Sequence, residues 1–114
     1  MANFVEIDAE LVEPERGAPA EDRLISGDPK FLTWNLDEQE GGLYAGVWEA
    51  TPGKWRIEYD EWEFCHILSG VSVIEEDGGK TRTVSEGDSF VLKPGFKGTW
   101  EVLETTRKEY VIRL

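Results

Sequence analysis

Three side chains able to do chemistry crowd into Glu63–His66, inside the stretch Pro52–Gly70, PGKWRIEYDEWEFCHILSG. His66 is the single histidine of this 114-residue chain and Cys65 its single cysteine. A carboxylate, a thiol and an imidazole this close could share a metal, or pair a nucleophile with a base. The spacing decides against both. The surrounding residues read as a strand, where side chains alternate faces with period two, so Glu63 and Cys65 share one side. His66 takes the other side with Phe64 and Leu68. It cannot chelate with Glu63 unless a bulge intervenes, and it reads as a hydrogen-bonded packing histidine. Cys65 has a carboxylate neighbour and apolar surroundings, which raise a thiol pKa, and no histidine shares its face to activate it. It reads as a small buried apolar residue. Glu63 is the group left for chemistry.

The elements that must position Glu63 are β-rich and regularly punctuated. Leu43–Ala50 reads as a strand ended by Pro52-Gly53, Trp55–Tyr59 as a second, and Glu63–Leu68 as a third ended by Ser69-Gly70. Val71–Glu76 and Lys80–Val84 flank Asp77-Gly78-Gly79, a hairpin signal because such turns need positive φ. Strands are expected at Ser89–Lys93, Thr99–Leu103 and Lys108–Arg113, with turns at Glu86-Gly87-Asp88 and Pro94-Gly95. No window carries the 3.6-residue period of a real helix. Seven or eight short strands joined by Gly and Pro predict an antiparallel sandwich or small barrel. Residues 1–42 are less regular: Pro14, Gly17 and Pro19 break any helix, and Phe31–Trp34 is a short extended piece. This segment is expected to act as an arm, its apolar anchors packing on the barrel of residues 43–114 or on a partner.

Bulk properties narrow the partners. The net charge is −12 and the pI about 4.4, a balance that repels phosphate backbones and anionic lipid, so neither nucleic acid nor membrane is expected. The acidic excess lies almost entirely before residue 64, which serves solubility or attracts a cationic ligand. One cysteine permits no intramolecular disulfide, and with neither a signal-peptide pattern nor a membrane-length apolar run, a cytoplasmic protein is expected.

The Gly-bounded segments resemble the two motifs of the cupin family. Glu63 followed after six residues by Gly70 matches the second half of the first motif, and Gly87-Asp88 leading to Pro94-Gly95 matches the frame of the second. More narrowly, WEATPGKW, EFCHILSG, PGFKGTWEV and RKEYVI resemble small single-domain cupins akin to the barrel of ureidoglycine aminohydrolase. The resemblance implies an all-β fold, a single cupin jelly-roll antiparallel barrel. It also shows what is missing. The first-motif histidines fall on Ile57 and Tyr59, or on Tyr59 and Glu61, depending on the anchor, and the second-motif histidine falls on Gly98. Of the ligand set only Glu63 survives, so no metal and no cofactor is expected.

In cupins the Glu63 position points into the barrel, where a carboxylate without a metal needs another partner. Arg56 and Lys108 are the candidate cations and Tyr59 the candidate hydroxyl donor. The resemblance implies a ligand-binding set of Tyr59, Glu63 and Trp100, with Glu61, Arg56 and Trp48 beside them; Trp55 and Trp62 are expected near a turn or rim. The implied function is binding of a small polar molecule, an amine or nitrogen-rich one, by a homodimer; if Arg56 or Lys108 neutralises Glu63, the preference is expected to turn toward carboxylates or ureides. Alternatives are a metal-dependent enzyme like ureidoglycine aminohydrolase, a metal-free sugar isomerase of cupin fold, and a structural dimer module with a filled barrel.

Overall fold

Two strands run on through places where the sequence predicts a break between strands, although the period-two burial is interrupted at each. In the computed structural model, which describes residues 3–114, a single 3₁₀ turn (Ala9–Leu11) precedes nine strands: β1 (Glu15–Gly17), β2 (Leu24–Gly27), β3 (Phe31–Gln39), β4 (Leu43–Ala50), β5 (Gly53–Glu58), β6 (Trp62–Glu76), β7 (Thr81–Ser85), β8 (Ser89–Leu92) and β9 (Lys97–Arg113). The expected Glu63–Leu68 and Val71–Glu76 strands are therefore one, β6, and the expected Thr99–Leu103 and Lys108–Arg113 strands are one, β9. Gly70 explains why the first does not turn back. Its φ of 89° bends the strand, the register with β9 shifts around it, and a Cβ there would stand 2.1 Å from the Thr105 carbonyl oxygen. The glycine lets β6 and β9 cross at close range and bend together. Ser72 and Thr106 close the same bend with a buried hydroxyl pair at 2.7 Å.

The bends fold one antiparallel sheet into two facing layers. Beyond the bend, β9 residues 106–113 lie between β4 and the first half of β6, with β3 and β1 outside β4 and β8 outside β6. Before it, β9 residues 97–102 lie between β5 and the second half of β6, with β2 and β7 at the edges. The layers meet in a core of Ala50, Trp55, Ile57, Ile67, Ile74, Val84, Leu92, Trp100 and Val102. Phe31 and Trp48 of one layer pack against Trp55 of the other at ring-centroid distances of 4.9 and 6.2 Å. This is the expected jelly-roll sandwich. Its sheet reaches back to Glu15, because β3 pairs with β4 along Phe31–Gln39 and β1 pairs with β3. Among the described residues no helix is long and apolar enough to cross a membrane.

Candidate functional site

A cavity of about 500 Å³ opens at one end of the sandwich, within the usual range for a small-molecule site. The inward faces of β3, β4, β5, β6 and β9 wall it, because each strand sends every second side chain between the layers. At its inner end Glu63 and Lys108 are both buried, and their Oε2 and Nζ atoms are 2.9 Å apart. Tyr59 donates its hydroxyl to the other Glu63 oxygen at 2.5 Å. Lys108 also reaches the Cys65 sulfur at 3.5 Å, and its Nζ lies 4.5 Å from the ring centroids of both Trp48 and Trp100. The ammonium is thus held by a carboxylate, a thiol and two indole faces. Tyr59 lies just past β5 and is fixed by its backbone, its N–H donating to Phe96 O at 2.8 Å and its carbonyl accepting from Gly95 N at 2.6 Å. The Pro94-Gly95 turn therefore positions the Tyr59 ring.

Electrostatics follow burial. Desolvation, then the Glu63 charge, pushes the Tyr59 hydroxyl well above the ordinary phenol range. Burial raises the Cys65 thiol to about 12, so it is neutral at physiological pH and no nucleophile. Burial opposes the Lys108 charge, but Cys65 and Glu63 favour it and the balance lies above the ordinary lysine value. Since the thiol stays protonated below about pH 12, the Glu63 carboxylate is what supports the ammonium at neutral pH. Glu63 itself accepts from two donors and is not a free base. The solvent-exposed part of the lining, the mouth, is different: it carries the exposed Glu15 and Glu38 and the half-buried Glu61, with Thr33, Asn35 and Tyr44.

Five of the six expected site residues, Tyr59, Glu63, Trp100, Glu61 and Trp48, line this one cavity. Arg56 does not. It lies on the outer face of β5, between the inward Trp55 and Ile57, and forms a bidentate pair with Asp77. Asp77 raises the guanidinium pKa and is itself lowered by that contact. Of the two candidate cations Lys108 is the one that reaches Glu63. Trp55 is not at a rim: it is buried, lines the cavity and stacks on Trp100 at 6.5 Å with 12° between the rings. His66 faces away from Glu63, as the alternation predicts, with Nδ1 2.7 Å from Ser89 Oγ. Tyr110 was missed, although it follows Lys108 by two and so shares its face; its hydroxyl donates to Asn35 Oδ1 at 2.9 Å, and burial raises its pKa to about 12. Asn35, Glu15 and Glu38 carried no local signal.

A cupin-type metal would need imidazoles converging with Glu63, and the residues present do not fit one. Lys108 holds the carboxylate as the cation, and Ile57 and Tyr59 supply no imidazole. Gly98 cannot be replaced by a ligand: a Cβ there would stand 2.0 Å from the Glu75 carbonyl oxygen. Among the described residues no three His, Cys, Asp or Glu side chains come together as a metal site.

Comparison with known proteins agrees with this fold. The family model described as EutQ-like cupin domain matches residues 37–110. A DUF861-family protein of unknown function from Pseudomonas syringae superposes with a TM-score of 0.79 at 27% identity over 87% of this chain, which spans only 43% of that protein. A DUF861-family protein from Thermotoga maritima is 33% identical, over 56% of this chain and 73% of its own, with a TM-score of 0.54. The Clostridium difficile EutQ protein matches at a TM-score of 0.68 and 17% identity, over 90% of this chain and 88% of its own. No curated protein matches the chain.

Proposed function

The chain belongs to the EutQ-like cupin domain family, and from that premise we propose that it binds a small amine-bearing polar molecule in the cavity, without a metal. The observation that carries this is the charge left over once Lys108 and Glu63 have neutralised one another. Glu15, Glu38 and Glu61 remain at the mouth, and among the described residues no second cation lines the cavity. The walls are aromatic, from Trp48, Trp55 and Trp100 to Tyr44, Tyr59 and Tyr110. Carboxylates at an opening and π faces behind them favour a cation over an anion. The neutralisation of Glu63 by Lys108 therefore does not turn the preference toward carboxylates, because the mouth supplies the negative charge instead. An aminohydrolase reaction of the kind the motifs resemble would need metal donors that this cavity lacks, and no observation favours it here.

The same reading includes a homodimer. Phe64 pairs with Val91 on β8 and Val111 on β9, which pairs with Ala45 on β4, an apolar row across the outer face of one layer. Val91 is exposed in the single chain, and a second copy would cover the row.

Calorimetric titration with primary amines, guanidines, amino acids and sugar phosphates tests the ligand class. Small amines should bind in the micromolar to millimolar range, and Glu61→Gln with Glu38→Gln should weaken them together by about tenfold. Tight binding of sugar phosphates, unaffected by those two substitutions, would overturn the reading. Stoichiometric metal that survives dialysis and is lost in Glu63→Ala would restore the metal-dependent one.

A further inference from the structure

The edge strands on one side of the sandwich border a second cavity, of about 660 Å³, which shares no lining residue with the first. β7 ends one layer there and β8 the other, and each pairs only with β6. The floor is apolar: Ile74, Val84 and Leu92 are buried, and Phe90 and Phe96 half-buried. Phe90 lies against Trp100 at 6.1 Å and Phe96 edge-on to Tyr59 at 6.3 Å, so this floor backs onto the wall of the first cavity.

β7 carries its cations on the inward side. Arg82 is in register with Ile74, a core residue only 4% exposed, so the two side chains share the inward face. Lys80 has the same parity as Arg82 and lines the cavity with it, whereas Thr81 lies on the outer face and donates to Glu75 at 3.1 Å. Inward positions of a sandwich strand ordinarily hold apolar side chains, as Val84 does here. Neither Lys80 nor Arg82 has an ion-pair partner among the described residues. Of the two carboxylates in the lining, Glu76 stands beside Lys80, its backbone N–H donating to the Lys80 carbonyl at 3.1 Å, and Asp88 accepts from the Ser85 N–H at 2.8 Å. Arg82 is thus a guanidinium with an isoleucine, not an acid, in register, above a floor of rings and branched chains.

We propose that this cavity is a second binding site, for a monocarboxylate with an aromatic or aliphatic body. Arg82 takes the carboxylate, Lys80 adds to the local positive field, and Phe90, Leu92 and Phe96 cover the body. A guanidinium fork matches a carboxylate through two parallel N–H···O bonds. Glu76 and Asp88 limit the charge the site accepts, because both repel a phosphate dianion more strongly than a monoanion. The site goes beyond the amine-binding reading of the first cavity and does not depend on it.

The test titrates acetate, 3-phenylpropanoate and 3-phenylpropanamide into the nitrogen-labelled full chain and follows backbone amide shifts. Phenylpropanoate should saturate in the high micromolar to millimolar range, moving amides of residues 82–84 and 89–92. The uncharged amide and the body-less acetate should each bind at least about fivefold more weakly. Arg82 is exposed, so Arg82→Gln keeps the fold and should weaken phenylpropanoate by about five- to tenfold. Lys54→Gln removes the same charge from the outer face of β5 and should leave that affinity unchanged. An amide that binds as tightly as the acid, or acetate that binds as tightly as phenylpropanoate, would overturn the proposal. So would equal losses in Arg82→Gln and Lys54→Gln, which would reduce the effect to the field of the whole surface. Amides of residues 82–84 and 89–92 that stay in place would overturn it too, leaving Lys80 and Arg82 as charges that keep an edge strand from pairing with another chain. None of these outcomes touches the amine reading, which is followed with amines at Trp48 and Tyr59.

Discussion

Lys108 Nζ lies 2.9 Å from Glu63 Oε2, and both side chains are almost wholly buried. Their positions in the chain are 45 residues apart and on different strands, Glu63 opposite Ile112 and Lys108 opposite Ile67. Two opposite charges removed from water together are tolerated because each has further partners, Tyr59 for the carboxylate and Cys65 with two indoles for the ammonium.

Removing one member should therefore be much worse than removing both. Lys108→Met leaves a buried carboxylate with only Tyr59, and is expected to cost about 3–5 kcal/mol in urea denaturation. The double variant Glu63→Gln, Lys108→Met should recover most of that loss. A single substitution costing less than about 1 kcal/mol would mean that water, not the partner, solvates the remaining charge.

Four buried groups of the site should make the fold sensitive to alkali. The Cys65 thiol is raised from 9.0 to about 12, the Tyr110 hydroxyl from 10.0 to about 12, and Tyr59 and Lys108 are raised as well. For each, the native state keeps its proton at a pH where the unfolded chain has released it. Their contribution is complete below the unfolded pKa and is lost as pH rises toward the folded one. Stability should therefore begin to fall above about pH 9, by about 1.4 kcal/mol per pH unit for each group in its window. Urea midpoints from pH 7 to 11 would check this, and Cys65→Ala should move the onset up toward pH 10. An unchanged onset would rule out the thiol as its source.

Gly98 stands where a cupin histidine is expected, and its absent side chain is required by the packing of β9 against β6. Gly98→Ala is expected to lower stability by at least about 1–3 kcal/mol, since the Glu75 backbone must move aside. Gly98→His should destabilise further and gain no bound transition metal by elemental analysis. A stable Gly98→His variant that takes up one equivalent would show that the site is a lapsed metal centre needing only its imidazole.

The outer apolar row predicts assembly. Light scattering at micromolar concentration should give a dimer, and Phe64→Glu should convert it to a monomer without loss of strand content by circular dichroism, because the introduced charge would be buried unpaired at the interface. A wild-type monomer would leave Phe64, Val91 and Val111 as ordinary surface.

What the chain determined by itself is local. Alternation and Gly or Pro punctuation located β4 to the residue and β5, β7 and β8 to within two residues, but not β1 or β2, and period two placed Glu63 and Cys65 on one face and His66 on the other. The same rule separates Arg56 from Trp55 and Ile57, and extends the Lys108 face to Tyr110; that information was present in the sequence and needed only consistent use. Other features came only with tertiary structure. Gly70 reads as a turn because glycine permits one, and it becomes a bend only because β9 crosses there against Thr105. Which cation meets Glu63 depends on the register of β6 against β9, and the acidic mouth depends on β1 and β3 being brought beside them. Such register is set by packing between residues far apart in the chain, and local propensity carries no record of it.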